Sequence, residues 1–170
     1  ALGSIVDHLE HRLSERRLTD ELISRTLDTY LARMPEVDAI RASTADGRVL
    51  WGKDVDPAKP VSYADRDFFA AHRAEPGKRL FVTKPIIGRV SKKWMVAFTR
   101  SYRNADGSFA GVVSAAVPVE FFTRMLGEIK LGTQGSAVIR HVDRSLMTRY
   151  PPVDGPGGVT GEQVVSETFA

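Results

Sequence analysis

The feature that most limits how this chain can fold is its N-terminal stretch, which no proline or glycine interrupts between Ser4 and Met34. Apolar residues recur there at spacings of three to five with charged residues between them, a pattern typical of an amphipathic helix. Pro35 follows and predicts the end of the helix. We therefore predict one helix over residues 1–34, roughly 45–50 Å long, which is long for a single small domain.

Two packing arrangements of this helix are open. In one, its apolar face lies along the body of the domain. In the other, the helix projects, pairs with a second copy and continues into a segment outside this chain. Its apolar pattern departs from a strict heptad around residues 15–17, so a regular coiled coil is not indicated. Because the apolar stripe is longer than a small sheet can cover, we expect a parallel homodimer through the helix.

After Pro35 the pattern changes to short strands and turns. In residues 37–43, Val37, Ala39 and Arg41 alternate with neighbours that point to the opposite side, and the turn that follows predicts a hairpin. The other predicted elements are a short helix at 64–74 ended by Pro76-Gly77, strands at 80–87, 93–102 and 109–119, a helix at 120–129 and a hairpin at 136–150.

This order of elements predicts an α+β fold of the PAS-like type. Residues 35–133 are expected to form an antiparallel five-stranded sheet with helices on a face. The chain then divides into a signalling or dimerisation helix at residues 1–34, a PAS-like module at 35–133, and the start of a second, smaller module at 134–170.

The composition excludes several classes of function. The chain has no cysteine, which removes disulfides, thiolate metal sites and cysteine nucleophiles. Its 24 basic and 21 acidic residues give a net charge of +3, well below the excess typical of nucleic-acid binding. It lacks a nucleophile elbow, a Walker loop and a dinucleotide fingerprint. We predict a domain without catalytic residues, metal, cofactor or nucleic-acid partner.

The longest nearly uncharged apolar run, residues 109–119, is about half of the ~20 residues that a membrane-spanning helix needs. We therefore expect any membrane attachment to come from flanking segments. The first residue is not methionine, and we expect the chain to be a piece of a longer protein.

One predicted strand carries an arginine on an aromatic face. Arg100 shares a strand face with Trp94, Phe98 and Tyr102, because they alternate along residues 93–102. A buried arginine is costly unless it is paired, so this pattern indicates either a salt bridge or an anion site.

The neighbouring elements are compatible with a ligand site. Ser114 and Ala116 give one face of the next strand little volume, which leaves a concavity. We predict a ligand cavity with these two residues as its floor, surrounded by Tyr63, Asp65, Arg66, Phe69, Trp94 and Arg100. The alternative is that each arginine forms a structural pair with an aspartate and that the core is filled by side chains.

Three segments resemble the double Cache family, the extracytoplasmic PAS-like sensor domains of bacterial receptors. They are Tyr63-Ala-Asp-Arg-Asp-Phe-Phe, Ala97-Phe-Thr-Arg-Ser-Tyr and Asp106-Gly-Ser-Phe-Ala-Gly-Val-Val-Ser-Ala-Ala-Val. The resemblance implies a periplasmic domain of a bacterial inner-membrane protein, with transmembrane helices on both sides. It looks most like sensors attached to diguanylate cyclases or histidine kinases, so the full-length protein is expected to carry such an output domain.

The match to the family's amino-acid sensors is partial. Those members carry an Arg-x-Trp-Tyr motif for the ligand carboxylate and a late aspartate in the third meander strand for its ammonium group. Here the first motif is Arg66-Asp67-Phe68-Phe69, and the aspartate position falls at about Ala116. The resemblance therefore implies a small carboxylate or other anion as the ligand. The alternative function is an extracytoplasmic structural or protein-interaction module with no small ligand.

Overall fold

The computed structural model describes residues 2–14, 19–75, 80–132 and 134–163. The chain forms two compact units. Unit 1 comprises Ala1–Thr83 and Ala97–Ala116, and unit 2 comprises Lys84–Val96 and Val117–Ala170. The domain boundaries predicted after residues 34 and 133 do not coincide with this division and stay a prediction.

The predicted α+β class is confirmed by the order of elements. Within the described residues the helices are α1 (Leu2–Ser14), α2 (Asp20–Leu31), α3 (Asp67–Ala74) and α4 (Val119–Gly127). The strands are β1 (Ala39–Ser43), β2 (Val49–Gly52), β3 (Phe81–Val82), β4 (Ile86–Ile87), β5 (Trp94–Arg103), β6 (Phe109–Pro118), β7 (Ala137–Arg140) and β8 (Leu146–Tyr150). No helix of the described part is long and apolar enough to span a membrane.

The prediction of one N-terminal helix is wrong, because a second helix begins at Asp20. Thr19 has extended backbone angles, φ −110° and ψ 156°, and its hydroxyl accepts a hydrogen bond from the amide of Leu22 at 3.2 Å. A threonine that caps in this way starts a new helix, and the acidic Asp20 and Glu21 suit the positive end of its dipole. The heptad pattern departs around residues 15–17, and these lie outside the described residues.

Both N-terminal helices pack on one face of the unit 1 sheet, which we call the helix face. Its fully buried members are Ile5, Val6 and Leu9 of α1, Ile23 and Leu27 of α2, and Ile40, Ala42, Tyr102, Val113 and Ala115 of the strands. The described part of the apolar stripe is thus buried within unit 1, as the first packing arrangement expected. The homodimer was predicted because part of the apolar stripe was expected to be uncovered. Since the described part is covered, that reason no longer applies, and dimerisation stays a prediction.

The sheet of unit 1 has the strand order β2-β1-β6-β5-β3. Strand β1 runs antiparallel to β6, with Ile40 opposite Ala115 and Arg41 opposite Ser114. Because side chains alternate along a strand, Arg41 and Ser114 point away from the helix face. We call this opposite side the polar face; its buried polar members are Arg41, Ser43, Thr99, Ser101 and Ser114.

The predicted strand at residues 80–87 is divided into two short ones. In unit 1, β3 pairs with β5 through Phe81 and Val82. In unit 2, β4 pairs with the first residues of β5. Pro85 lies between β3 and β4 and has no amide hydrogen to donate to a neighbouring strand.

Unit 2 contains the predicted C-terminal helix and hairpin. Helix α4 lies against β8, and the β7–β8 pair is antiparallel. Trp94 belongs to this unit and is 37% exposed, with its ring next to Gly161. Trp94 was predicted to line the ligand cavity, and it pairs instead with Ile87 on the short strand β4.

Candidate functional site

Buried polar side chains gather on the polar face of unit 1. Its five members are between 0% and 5% exposed. Burying a hydroxyl or a guanidinium group is unfavourable unless each finds hydrogen-bond partners. The partners of these side chains therefore indicate which of them serve the fold and which are placed for a ligand.

Tyr63 reaches the polar face immediately before α3. Its hydroxyl lies 3.1 Å from the hydroxyl of Ser114, and either atom can donate. The Tyr63 amide donates to the carbonyl of Gly47 at 2.7 Å, and its ring meets Phe68 edge-on at 5.2 Å. The Tyr63–Ser114 pair is therefore held from both ends of the tyrosine, and it presents two hydroxyl groups at one place.

Helix α3 is anchored on the same face by its buried side. Phe69 is 1% exposed and packs edge-on against Phe109 at 5.4 Å. His72 Nε2 lies 3.0 Å from the Thr99 hydroxyl, which donates to the carbonyl of Phe81. Since the single hydroxyl proton of Thr99 goes to Phe81, His72 donates from Nε2. His72 and Thr99 thus serve the anchoring of α3.

Arg66 holds the N-cap position of α3, with extended backbone angles of φ −88° and ψ 139°. Its carbonyl accepts the amides of Phe69 and Ala70, and its side chain is half-buried. Asp65, the preceding residue, is exposed. The helix that was predicted from residue 64 thus begins only at Asp67, and its predicted end at Pro76-Gly77 lies outside the described residues.

Small side chains lie beside the Tyr63–Ser114 pair. Ala116 is two residues beyond Ser114 on β6 and faces the same side, and it is paired with Ala39 of β1. Both alanines are buried. The structure therefore brings together Tyr63, Phe69, Ser114 and Ala116 of the predicted site within unit 1.

Arg100 does not belong to this group, and the prediction of one cavity around Arg66 and Arg100 is wrong. The guanidinium of Arg100 lies against α1, where a Cβ added to Gly3 would be 2.7 Å from Nη1. The neighbouring Thr99 contacts His72 of α3 instead. Because alternate residues of β5 point to opposite sides, Arg100 lies on the helix face and α3 on the polar face.

Arg41 is a residue that the site prediction missed. It is 4% exposed, and its Nε donates to the carbonyl of Lys53 at 2.9 Å. Its Nη2 is buried without a hydrogen-bond partner. Among the described residues, no carboxylate oxygen is within 4 Å of its guanidinium nitrogens. The sequence did contain a signal for this residue, because Arg41 shares one face of the predicted strand at 37–43 with the small residue Ala39.

No side-chain cluster in the described ranges is arranged to hold a metal ion: no group of three His, Asp or Glu residues comes together there. Tyr102, on the helix face, has its pKa raised by burial, and its hydroxyl donates to the carbonyl of Ser43 at 2.8 Å. This tyrosine is thus neutral and ties β5 to β1, which is a structural role.

Comparison with known proteins connects this fold to receptors. No protein-family model matches the chain, and no curated protein is similar to it in sequence. Among solved structures, the chain is similar to the extracellular domain of rpHK1S-Z16, a protein assigned to the histidine kinases. The two are 27% identical with a TM-score of 0.76, over 95% of this chain and 65% of that one.

Two chemoreceptor domains share the fold at lower identity. The ligand-binding domain of Pseudomonas aeruginosa PAO1 PctC, in complex with GABA, has a TM-score of 0.61 at 19% identity, over 86% of this chain and 65% of that one. That of Pseudomonas fluorescens CtaA, in complex with L-serine, has a TM-score of 0.63 at 13% identity, over 85% and 62%.

The chain therefore spans about two thirds of the length of these three domains. All three are extracellular or ligand-binding domains of receptors, and their α+β architecture is the one that the sequence motifs predicted. The chain therefore shares the Cache-like fold of these extracellular and ligand-binding domains.

Proposed function

We propose that the chain is the extracytoplasmic ligand-sensing region of a transmembrane signal-transduction receptor, and that it binds a small carboxylate or other anion on the polar face of unit 1. The observation that supports this best is the Tyr63–Ser114 hydroxyl pair beside small side chains, in a fold shared with ligand-binding domains. Hydroxyl groups and little side-chain volume are what a small polar ligand requires.

The charge of the polar face favours an anion. Of its five buried polar strand side chains, Arg41 is the charged one, and Ala116 stands where the family's amino-acid sensors have an acidic residue. GABA and L-serine, the ligands of the two chemoreceptor structures, both carry a carboxylate and an ammonium group. This chain keeps a partner for a carboxylate and offers none of the expected kind for the ammonium group.

The ligand residues that we propose are Tyr63, Arg66, Phe69, Ser114 and Ala116, with Asp65 at the entrance. Binding changes the signal only if the ligand has different affinities for two conformations of the domain. We place the domain in the periplasm of a bacterial inner-membrane protein. Its cytoplasmic output domain is proposed to be a diguanylate cyclase or a histidine kinase, and catalysis would belong to that domain.

The experiment is a thermal-unfolding screen of the 170-residue chain against short carboxylates, their amides and free amino acids. A ligand at 100 times its Kd should stabilise the folded state by about 2.7 kcal/mol, which gives a clear rise in Tm. Ser114→Leu should remove the response by filling the site. Thr29→Leu, at an exposed position of α2, is the control and should leave it unchanged.

The screen also separates the two functions predicted from the sequence. A sensor has at least one compound whose effect Ser114→Leu removes. If no compound raises the Tm of the parent chain, the domain is a structural or protein-interaction module and our proposal is wrong.

A further inference from the structure

The guanidinium of Arg41 has a donor that the fold leaves unused. The side chain starts on β1, directly opposite Ser114, and its Nε donates to the carbonyl of Lys53 just beyond β2. Nη2 is buried and has no hydrogen-bond partner. An unsatisfied buried donor destabilises a folded protein, and more strongly when the group is charged.

A structural role accounts for only part of this arrangement. The bond to Lys53 uses one of the five N–H groups of the guanidinium. Asp38, the residue before β1, lies 3.8 Å from the amine of Lys53 and forms no ion pair with Arg41, so it does not compensate the charge of Arg41. A long apolar side chain would fill the same space without burying an uncompensated charge.

The backbone next to Arg41 leaves room for its side chain. Gly52 is the residue paired with Arg41 on β2, and its φ is +110°. A Cβ at this position would lie 2.1 Å from the carbonyl oxygen of Ile40. Gly52 therefore has to be glycine, and β2 places no side chain beside the stem of Arg41.

We propose, building on the sensing function above, that Arg41 is the anchor for the ligand carboxylate and that the ligand is a short hydroxy- or oxo-carboxylate. A carboxylate accepts two parallel hydrogen bonds from a guanidinium group, here from Nη1 and Nη2, because Nε already bonds to Lys53. The Tyr63–Ser114 hydroxyl pair lies on the same polar face, where Ser114 of β6 is the cross-strand partner of Arg41, and it binds an uncharged polar group of the same ligand.

This assignment restricts the ligand on three points. The anchor requires one carboxylate. The hydroxyl pair requires an oxygen-bearing neutral group near it. Arg41 and Ser114 are directly opposite each other on neighbouring strands, so the carbon skeleton that joins the two groups is short. Since Nη2 is enclosed by protein atoms, binding also requires a local rearrangement around it, and such a difference between the bound and free states is what a sensor needs.

The probes are lactate and pyruvate, compared with propionate, which lacks the oxygen, with lactamide, which lacks the charge, and with alanine, which carries an ammonium group. Affinities are measured by calorimetry and by thermal shift on the 170-residue chain. Arg41→Met should weaken lactate or pyruvate binding by about 10- to 100-fold. Arg41→Lys keeps the positive charge but cannot donate two parallel hydrogen bonds to one carboxylate. Its affinity for lactate or pyruvate should fall between those of the parent and Arg41→Met.

Two measurements keep the result independent of folding. Arg48→Met is the control, because Arg48 is an exposed arginine just before β2, and it should bind as the parent does. The ligand-free Tm of Arg41→Met should equal or exceed that of the parent, since a buried uncompensated charge is removed. If Arg41→Met loses stability and binding together, Arg41 serves the fold and the inference is wrong.

The remaining outcomes distinguish this inference from the proposed function. If the parent binds lactate or pyruvate and Arg41→Met binds equally well, sensing stands and Arg41 is not the anchor. If the parent binds only neutral compounds or only amino acids, sensing again stands and our ligand class is wrong. If no compound in either screen binds the parent, both the proposed function and the anchor are rejected.

Discussion

The two sides of the unit 1 sheet are both buried, yet they differ in chemistry. The helix face is lined by Ile40, Val113 and Ala115 against α1 and α2. The polar face presents hydroxyl groups and the guanidinium of Arg41. The residues alternate along the same strands, so the difference does not come from strand position or secondary structure.

The comparison suggests how one sheet divides stability and function. Apolar burial contributes about 25 cal/mol per Å² and needs no partner, so the helix face stabilises the fold wherever its side chains fit. Buried polar groups contribute little net free energy even when every hydrogen bond is made, and are unfavourable when one is missing. The polar face is thus a poor way to stabilise a sheet and a suitable way to prepare a binding site.

The largest predicted effect is on the helix face. Leu27 of α2 is 1% exposed, and Leu27→Ala should lower the free energy of unfolding by about 2–5 kcal/mol, because it leaves a cavity in the core. Denaturant unfolding measures this loss. Leu22→Ala, at a half-buried position of the same helix, is the control and should lower the free energy of unfolding by less. Ligand affinity of the folded Leu27→Ala chain should stay that of the parent. A large change in affinity would contradict the view that the helix face provides stability and the polar face provides binding.

The next effect compares the same exchange on both faces. Thr99→Val removes the hydroxyl that bonds to His72 and Phe81, and should destabilise the chain by about 1–3 kcal/mol. Val113→Thr places a hydroxyl among the apolar side chains of the helix face and should destabilise it by a similar amount. Unfolding of both variants tests this. A neutral result for either one would mean that its face tolerates both chemistries and that the two faces differ less than we state.

Much of the fold could be predicted from the sequence because its signals are local. Alternation along residues 93–102 and 109–119, and the turns between strands, correspond to observed strands β5 and β6. The division of the N-terminal helix was missed because Thr19 lies within a continuous apolar pattern. Its capping role depends on one hydrogen bond to Leu22, and a helical pattern alone does not reveal it.

The site was harder to predict because it depends on which face each strand turns to which helix. The alternation along the strand correctly placed Arg100 and Tyr102 on one face, but it does not indicate that α1 covers that face. Arg41 was overlooked for the same reason. Its importance follows from two features of the folded chain. One is the pairing with Ser114, which is 73 positions away in the sequence, and the other is the burial of a donor that has no partner.

A smaller effect should follow from Tyr63→Phe. The variant loses one hydrogen bond to Ser114, whose hydroxyl still has the carbonyl of Arg41 as an acceptor at 3.5 Å. The free energy of unfolding should fall by only about 0.5–1.5 kcal/mol. In contrast, the preference for lactate over propionate should decrease, because the hydroxyl pair is broken. Calorimetry with both compounds checks this, and an unchanged preference would remove Tyr63 from the site.

The smallest predicted effect concerns the turn at residues 141–145 of unit 2, where the side chain of Asp143 is 32% exposed. In unit 2, Asp143 accepts hydrogen bonds from the hydroxyl of Ser145 at 2.6 Å and from its amide at 2.9 Å, and it lies 3.0 Å from His141 Nδ1. The bonds from Ser145, followed by the contact with His141, lower the pKa of Asp143 from 3.8 to about 2. The folded state therefore favours the ionised carboxylate.

The sign of the pH dependence follows from that lowered pKa. The contribution of Asp143 is complete above about pH 4, decreases as the pH falls from 3.8 towards 2, and is absent below the folded pKa of about 2. Because water reaches and screens the partly exposed carboxylate of Asp143, we expect less than about 1 kcal/mol. The difference in unfolding free energy between the parent and Asp143→Asn, measured from pH 5 to pH 2, should shrink over this interval. A difference as large as that of Thr99→Val would contradict the view that burial is what makes the hydrogen bonds of the polar face matter.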